Sequence, residues 1–381
     1  YGCLSLTQIE IPSSITSVGG YAFNGCASLT QITIPSSVTS IGDYAFNGCS
    51  SLKQIQIPFS VKSIGCYAFS YCSSLKQILI PPFVKSIEDY TFNECSSLTE
   101  ISIPPFVTSI GNYAFNECSS LTEIIIPSSV KSIGDCALNG CSSLTEITIP
   151  SSVISIGKTV FNGMKSLIIK GDIQKFMNNM FGLCSSLTQI TLPSSVTSIG
   201  DYTFNGCSSL AEISIPSSIT SIGCNAFYFC SSLERIVIPS SVKSIGDCTF
   251  NECSSLKEIT IPSSVTSIGQ KVFIGIKSLI IKGDIQEITN NMFNGCSTLT
   301  QITLPSSVKS IGNSAFNECS SLTEISFESP SSLTLIGSYA FNRCKSLKQI
   351  MIPPTVTSIG SYAFSECSSL DKKKLPSNCI F

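Results

Sequence analysis

Cys26-Ala27-Ser28-Leu29-Thr30-Gln31-Ile32-Thr33-Ile34-Pro35-Ser36-Ser37-Val38-Thr39-Ser40-Ile41-Gly42-Asp43-Tyr44-Ala45-Phe46-Asn47-Gly48 is one turn of a repeat, and its internal pattern decides the fold. Ile32-Thr33-Ile34 alternates apolar and polar, the period-two mark of a half-buried strand. Pro35 has no N–H to give to a ladder, so the strand ends there. Ser36 and Ser37 make a turn, Val38 and Ile41 point inward, and Gly42 permits a sharp bend. Ala45 and Phe46 bring the chain back to the core, which predicts a single helical or 3₁₀ turn. Each such coil therefore offers Leu, Ile, Ile, Val, Ile, Ala, Phe and Cys to its interior.

The cysteines mark the period. Cys3, Cys26, Cys49, Cys72, Cys95, Cys118 and Cys141 are 23 residues apart, and Met164 takes the next position. A step of 20 leads to Cys184, steps of 23 return through Cys207, Cys230 and Cys253, and Ile276 takes a position. Another step of 20 leads to Cys296, and Cys319, Cys344 and Cys367 close the series, with one step of 25 between Cys319 and Cys344. A fixed period in this range signals a solenoid, and about sixteen coils exceed the roughly three needed to bury a shared core. The expected fold is mainly β. Successive strands lie side by side as a parallel sheet along one face, about 4.8 Å apart.

Two segments interrupt the pattern in the same way. Residues 164–183 and 276–295 form coils of 20, both lack the strand-ending Pro, and they lie 112 residues apart, as if a five-coil block had been duplicated. A shorter coil reads either as a tolerated length variant or as a shaped recognition notch. The two extra residues around Glu328-Ser329-Pro330 are expected to bulge from a turn. Residues 1–370 read as a single solenoid, and 371–381 as a tail or truncated cap.

The recurring pattern Leu-x-x-Ile-x-Ile-Pro-x-x-Val-x-x-Ile-Gly-x-x-Ala-Phe-x-x-Cys resembles the BspA-like, or treponemal-type, leucine-rich repeat family, and covers residues 3–370. The resemblance implies a right-handed leucine-rich-repeat solenoid. It also implies a cell-surface or secreted location and an adhesin-like role in which the chain binds host matrix or other cells. The chain starts at Tyr1-Gly2-Cys3, already inside a repeat, so it reads as a piece of a longer protein. No stretch approaches the run of about 20 apolar residues that spans a bilayer.

Composition narrows the chemistry. The chain of 381 residues has no His and no Trp, is 43% hydrophobic and 12% charged, and carries a net charge of −2. Lacking His, it lacks every Ser-His or Cys-His nucleophile arrangement. Lacking a basic field, it has nothing to hold a phosphate backbone, so nucleic acid is not an expected partner. No Cys-x-x-Cys spacing supports zinc or thioredoxin-like chemistry. Fifteen of the twenty cysteines sit on the period. Met164 and Ile276 fill the same slot, which suits a column of buried thiols and not a bridge. No cofactor or metal is expected, and no catalysis.

Binding is therefore the function to look for, and two sets of residues present themselves. Gln31, Gln54 and Gln77, then Glu100, Glu123 and Glu146, occupy one outward strand position in successive coils. Three carboxylates in a row read as a solvated face or as a cation site. In three consecutive coils Phe replaces a turn serine: Phe59, Phe83 and Phe106, with Leu79 and Ile125 outward on nearby strands. The serines elsewhere imply solvent at that point. The rings are thus either a packed coil edge or an exposed patch for a protein partner, such as extracellular matrix or a host cell surface. Two readings of the whole chain follow, a surface protein that mediates protein binding or adhesion, and a structural spacer with no ligand of its own. An ice-binding ladder is disfavoured, because the outward strand pairs are Gln-x-Thr and Glu-x-Thr instead of uniformly Thr-x-Thr.

Overall fold

In the computed structural model, which describes residues 2–371, Gln31–Thr33 is a strand and pairs in parallel with Gln8–Glu10, residue for residue at a spacing of 23. Most ordinary coils repeat this unit, a first strand at the Gln-Ile-Thr position and a second, two-residue strand at Ser-Ile, as at Ser40–Ile41; the coils beginning at Cys207 and Cys344 keep only the second. The residues cluster into two compact units, Tyr1–Ser195 and Val196–Phe381. In the first, Glu100–Ser102, Glu123–Ile125, Glu146–Thr148, Ser166–Lys170 and Gln189–Thr191 form one five-stranded parallel sheet. In the second, Arg235–Val237, Glu258–Thr260, Ser278–Lys282, Gln301–Leu304 and Glu324–Phe327 do the same. The fold is a β-solenoid of stacked coils, as the period predicts. The expected tail lies, from Lys372 onward, outside the described residues.

The core positions fall where the pattern puts them. Leu29, Ile32, Ile34, Val38, Ile41, Ala45, Phe46 and Cys49 are all buried, and their copies stack above and below. Phe23, Phe46, Phe69, Phe92 and Phe115 form one continuous stack with ring centroids 5.3–5.7 Å apart. The on-period thiols fill the next column. Cys72, Cys95, Cys118 and Cys141 are buried and free, each donating to the carbonyl of the Phe 26 residues earlier at 3.2 Å. Each of these thiols thus has an acceptor on the backbone of the Phe column.

The return arc differs from the helical or 3₁₀ turn expected of it; among the described residues there is no helix. Alternate residues of the arc donate in two directions. Ala45, Asn47 and Cys49 donate back three residues within the coil, whereas Tyr44, Phe46 and Gly48 donate to Cys66, Ala68 and Ser70 of the following coil at 2.8–2.9 Å. A residue that donates forward must break the helical run, and Tyr44 (φ 56°) and Gly48 (φ 72°) do so by adopting the left-handed conformation. The arc is thus laced to its neighbour as firmly as the strands are. Its tyrosines line up as a second aromatic ladder on the outside: Tyr21, Tyr44, Tyr67, Tyr90 and Tyr113, with centroids 4.3–4.7 Å apart.

Gly134 shows how closely coils approach at the bend. A Cβ there would lie 2.5 Å from the Asn112 backbone nitrogen and 2.7 Å from its Oδ1. That same Oδ1 accepts the Asp135 N–H at 2.8 Å, one rung of a ladder that Asp89 Oδ1 and Asp135 Oδ1 continue on either side. The backbone of the preceding coil, and the side chain that caps the next one, therefore share the space a Cβ would need. Three coils place a larger residue at this glycine slot: Glu88, Met177 and Thr289. Each follows a coil whose capping slot holds neither Asp nor Asn, but Cys66, Lys158 and Gln270 respectively.

The two 20-residue coils solve the same problem twice. Ser166–Lys170 pairs through Ile168 with Glu146 on one side and with Thr191 on the other, a two-residue slip in register. A slip of two keeps every side chain on its own face, where a slip of one would invert them all. Ile280 sits likewise between Glu258 and Thr303. Asp172 takes over the lost turn by accepting the Ser151 N–H and hydroxyl at 2.7 and 2.9 Å, and Asp284 does so with Ser263 at 2.6 and 2.7 Å. These bonds hold both carboxyls below their ordinary value.

Candidate ligand-binding face

The first strands of the first unit present their outward positions as columns, because parallel in-register pairing stacks like on like. Gln31, Gln54, Gln77, Glu100 and Glu123 form one column, and Thr33, Gln56, Leu79, Ser102 and Ile125 the column two residues along. Both columns floor a single open groove of about 1090 Å³ that runs across the coils of Gln31 to Ile125. Pro58, Phe59 and Ser60 stand at its wall.

Of the residues the sequence singles out, the structure thus brings Gln31, Gln54, Gln77, Glu100, Glu123, Leu79 and Phe59 into one groove. Glu146 stays outside it: Lys170, delivered by the slipped strand, forms an ion pair with its carboxylate. Within the groove, Gln77 Nε2 donates to Glu100 Oε1 at 2.7 Å. The row of three carboxylates is therefore broken up by an amide at one end and an ammonium at the other, with no ion pair on Glu123 among the described residues. Among those residues no three His, Cys, Asp or Glu side chains converge in a way that would hold a cation.

The three phenylalanines divide. Phe83 and Phe106 stack on each other at 6.5 Å, outside the groove, while Phe59 faces into it. The cause is one residue of register. In an ordinary coil the second serine of the turn donates to a carbonyl of the previous coil, as Ser37 does to Ile15 and Ser129 to Val107, both at 2.6 Å. The coil of Phe59 keeps that bond through Ser60, to Val38 at 2.6 Å, and places Phe in the first serine slot, beside the strand. Phe83 and Phe106 take the second slot and forgo the bond. Exposure is 63% for Phe59, 56% for Phe83, 58% for Phe106 and 57% for Leu79. The rings stay more than half exposed, Phe83 and Phe106 despite their stack.

Thr33, Gln56, Ser102 and Pro58 were not singled out in the sequence. Two-residue spacing along a strand identifies the column beside the Gln/Glu ladder, but nothing in one coil's sequence shows that both columns floor a concavity. No helix among the described residues is long and apolar enough to cross a membrane.

Comparison with known proteins places these coils. The profile of a family described as "BspA type Leucine rich repeat region (6 copies)" matches residues 1–122, 85–182, 174–296 and 274–381. The crystal structure of a leucine-rich repeat protein from Bacteroides ovatus is 31% identical, covers 95% of this chain and 85% of its own, and superposes with a TM-score of 0.59. A leucine-rich cell surface protein from Faecalibacterium prausnitzii is 31% identical, covers 85% of this chain and 88% of its own, and has a TM-score of 0.49. No curated protein matches the chain.

Proposed function

This chain belongs to the BspA-type leucine-rich repeat family, and we propose that it acts at the cell surface as a non-catalytic protein that captures a protein ligand in the groove of its first unit. The observation that carries this reading is the groove itself, where Phe59, Leu79 and Ile125 are exposed above a floor of amides and carboxylates. An apolar anchor beside convergent polar groups is the usual composition of an interface centre. Proline at 58 fixes the backbone under Phe59, which lowers the entropy lost on binding. Catalysis plays no part in this reading, because the carboxylates lie on an open strand face that does not exclude water. Phe83 and Phe106 extend the same contact surface outside the groove, and the ligand is a matrix or host-surface protein.

The test is capture of proteins from an extracellular-matrix extract, followed by affinity measurement on what is caught. Each large apolar side chain buried by a partner contributes on the order of 1.5–3 kcal/mol. Phe59→Ser with Leu79→Thr and Ile125→Thr should therefore weaken binding by at least about 100-fold. These substitutions install residues that other coils use at the same slots, so the fold is retained. Undiminished affinity in the triple variant would move the site elsewhere on the chain, and failure of the parent to capture anything would leave the spacer as the better account.

A further inference from the structure

The tyrosine ladder of the first unit is a second feature that the binding reading does not use. Tyr21, Tyr44, Tyr67, Tyr90 and Tyr113 stack with centroids 4.7, 4.4, 4.3 and 4.6 Å apart and planes within 6° of parallel. All five hold the strained left-handed backbone conformation that the return arc demands. In the next coil the same slot holds Cys136, also left-handed, half-buried and free, and in the coil after that Thr159, whose Oγ1 lies 2.8 Å from the Cys136 sulfur. The ladder therefore ends on a thiol.

We propose that this ladder carries one-electron oxidation from the exposed end at Tyr21 to Cys136, making Cys136 the oxidation site of the unit. The spacing is what such a relay requires: each ring is in van der Waals contact with the next, and no residue of another kind interrupts the five. A one-electron oxidant takes an electron from Tyr21, and the phenol gives its proton to water. Tyr44 then refills the phenoxyl with an electron and a proton together, and the vacancy passes to Tyr67, Tyr90 and Tyr113 in turn. Finally Cys136 gives an electron and its S–H proton to the Tyr113 phenoxyl. The net change is one oxidant reduced, one proton released and one thiyl radical left on Cys136. Hydroxyl contacts follow the same route. Partial burial, with the neighbouring Tyr90 and Tyr44 hydroxyls, pushes the Tyr67 phenol up to about 12, and hydrogen bonding to Cys136 raises Tyr113. The Tyr67 and Tyr113 phenols therefore stay protonated near neutral pH, and there electron and proton must move as a pair.

The second unit contains the control. Cys248 occupies the same slot, left-handed, half-buried and free, but the coils on either side place Asn225 and Lys271 in that slot. Direct attack should oxidise Cys136 and Cys248 alike, and only relay favours Cys136.

The experiment uses the full chain with tris(bipyridine)ruthenium and persulfate under a light pulse, a nitrone spin trap, and peptide mass spectrometry of the adducts. In the parent, trap adducts on Cys136 should exceed those on Cys248 by about five-fold or more. Tyr113→Phe keeps the ring and the stack but removes the oxidisable phenol next to the thiol. It should bring the ratio to about one while adducts on Tyr21 and Tyr44 rise. Tyr67→Phe interrupts the ladder further from the thiol and should lower the ratio part of the way, which keeps the test open if the first variant folds poorly. A ratio near one in the parent, or one unchanged by both substitutions, overturns the proposal.

Discussion

Gly134→Ala is expected to weaken the stack at one identifiable joint. The new Cβ would sit 2.5 Å from Asn112 N, 2.6 Å from Gly111 C and 2.7 Å from Asn112 Oδ1. Ordinary contact begins at 3.4 Å, so the two coils must part locally by about 0.9 Å. Parting stretches the bonds that close the joint, Gly134 N–H to Ile110 O and Asp135 N–H to Asn112 Oδ1, both 2.8 Å. Overpacking costs about 1–3 kcal/mol and each weakened hydrogen bond about 0.5–1.5, against a gain of about 0.4–1 from the stiffer unfolded chain. The net is a loss of about 2–4 kcal/mol, concentrated at that joint because a solenoid coil contacts only its neighbours. Hydrogen exchange of the Gly134 and Asp135 amides should then quicken by about 30- to 700-fold. Gly19 is the internal control: it holds the same slot in the first coil, and a Cβ there meets nothing within 4 Å. Gly19→Ala should leave its own joint unchanged or slightly tighter. Adding Asn112→Ala to Gly134→Ala should cost about 1 kcal/mol less than the two single changes together, since both act on the Asp135 N–H to Asn112 Oδ1 bond, which can be lost only once. Equal losses at Gly19 and Gly134, or strict additivity of the pair, would refute the claim that coil approach and the capping bond are coupled at this joint.

Other perturbations test other parts of the fold. Burial pushes the Cys49, Cys95 and Cys184 thiols from the ordinary 9.0 up to about 12. The unfolded chain releases those protons first, so stability should be fully present below about pH 9 and fall progressively as pH rises toward 12; a melting temperature flat from pH 8 to 11 would contradict this. Ellman titration of the native chain should miss the buried thiols and find them all in denaturant, and bridged cysteines would show as a shortfall. Asp172 has a carboxyl below its usual 3.8 because it accepts the Ser151 hydroxyl and N–H, so the stability it gives is present above that value and is lost as pH falls through the lowered one. Asp172→Asn should accordingly speed exchange of the Ser151 amide at pH 7 and flatten its acid dependence. Glu117 holds φ 57° at a slot where several other coils, such as those of Gly48 and Gly140, have Gly, and Glu117→Gly should raise stability by about 0.5–1 kcal/mol in urea melts, the left-handed strain outweighing the added chain freedom.

How much of this was readable in the sequence depends on whether a feature is periodic. The strand at Gln31–Thr33, the stop at Pro35 and the inward set from Leu29 to Cys49 all follow from alternation and a beat of 23, and the structure places each as expected. The return arc departs from the helical turn that Ala45-Phe46 satisfies in isolation, because the neighbouring coil's carbonyls divert Tyr44 and Phe46 from it. The three phenylalanines lie at nearly one point of the repeat, but a single residue of offset sends Phe59 into the groove and leaves the other two stacked outside it. The fate of Glu146 was also hidden, since its partner Lys170 arrives through a register slip that no coil's own sequence displays.

Departures from the repeat fall into two kinds, and the distinction locates function. Glu88, Met177 and Thr289 depart at the glycine slot only where the preceding coil has lost its capping Asp or Asn, so one irregularity offsets another inside the stack. Asp172 and Asp284 replace a deleted turn, and their hydrogen bonds account for them completely. Phe83 and Phe106 have the opposite character: each gives up a serine bond to the previous coil and gains only a mutual stack that leaves more than half of the ring in water. Phe59, Leu79 and Ile125 likewise replace polar residues at exposed slots and return nothing to the stability of their own coils. A departure that the fold neither needs nor compensates is best explained by something outside the chain. Such departures also occur singly, as at Ile154, Val237 and Met351, but Phe59, Leu79 and Ile125 share one groove of the first unit, with Phe83 and Phe106 beside it. That clustering is the physical reason to seek the ligand there, and not along the stretches of the Thr, Gln and Glu ladders outside the groove.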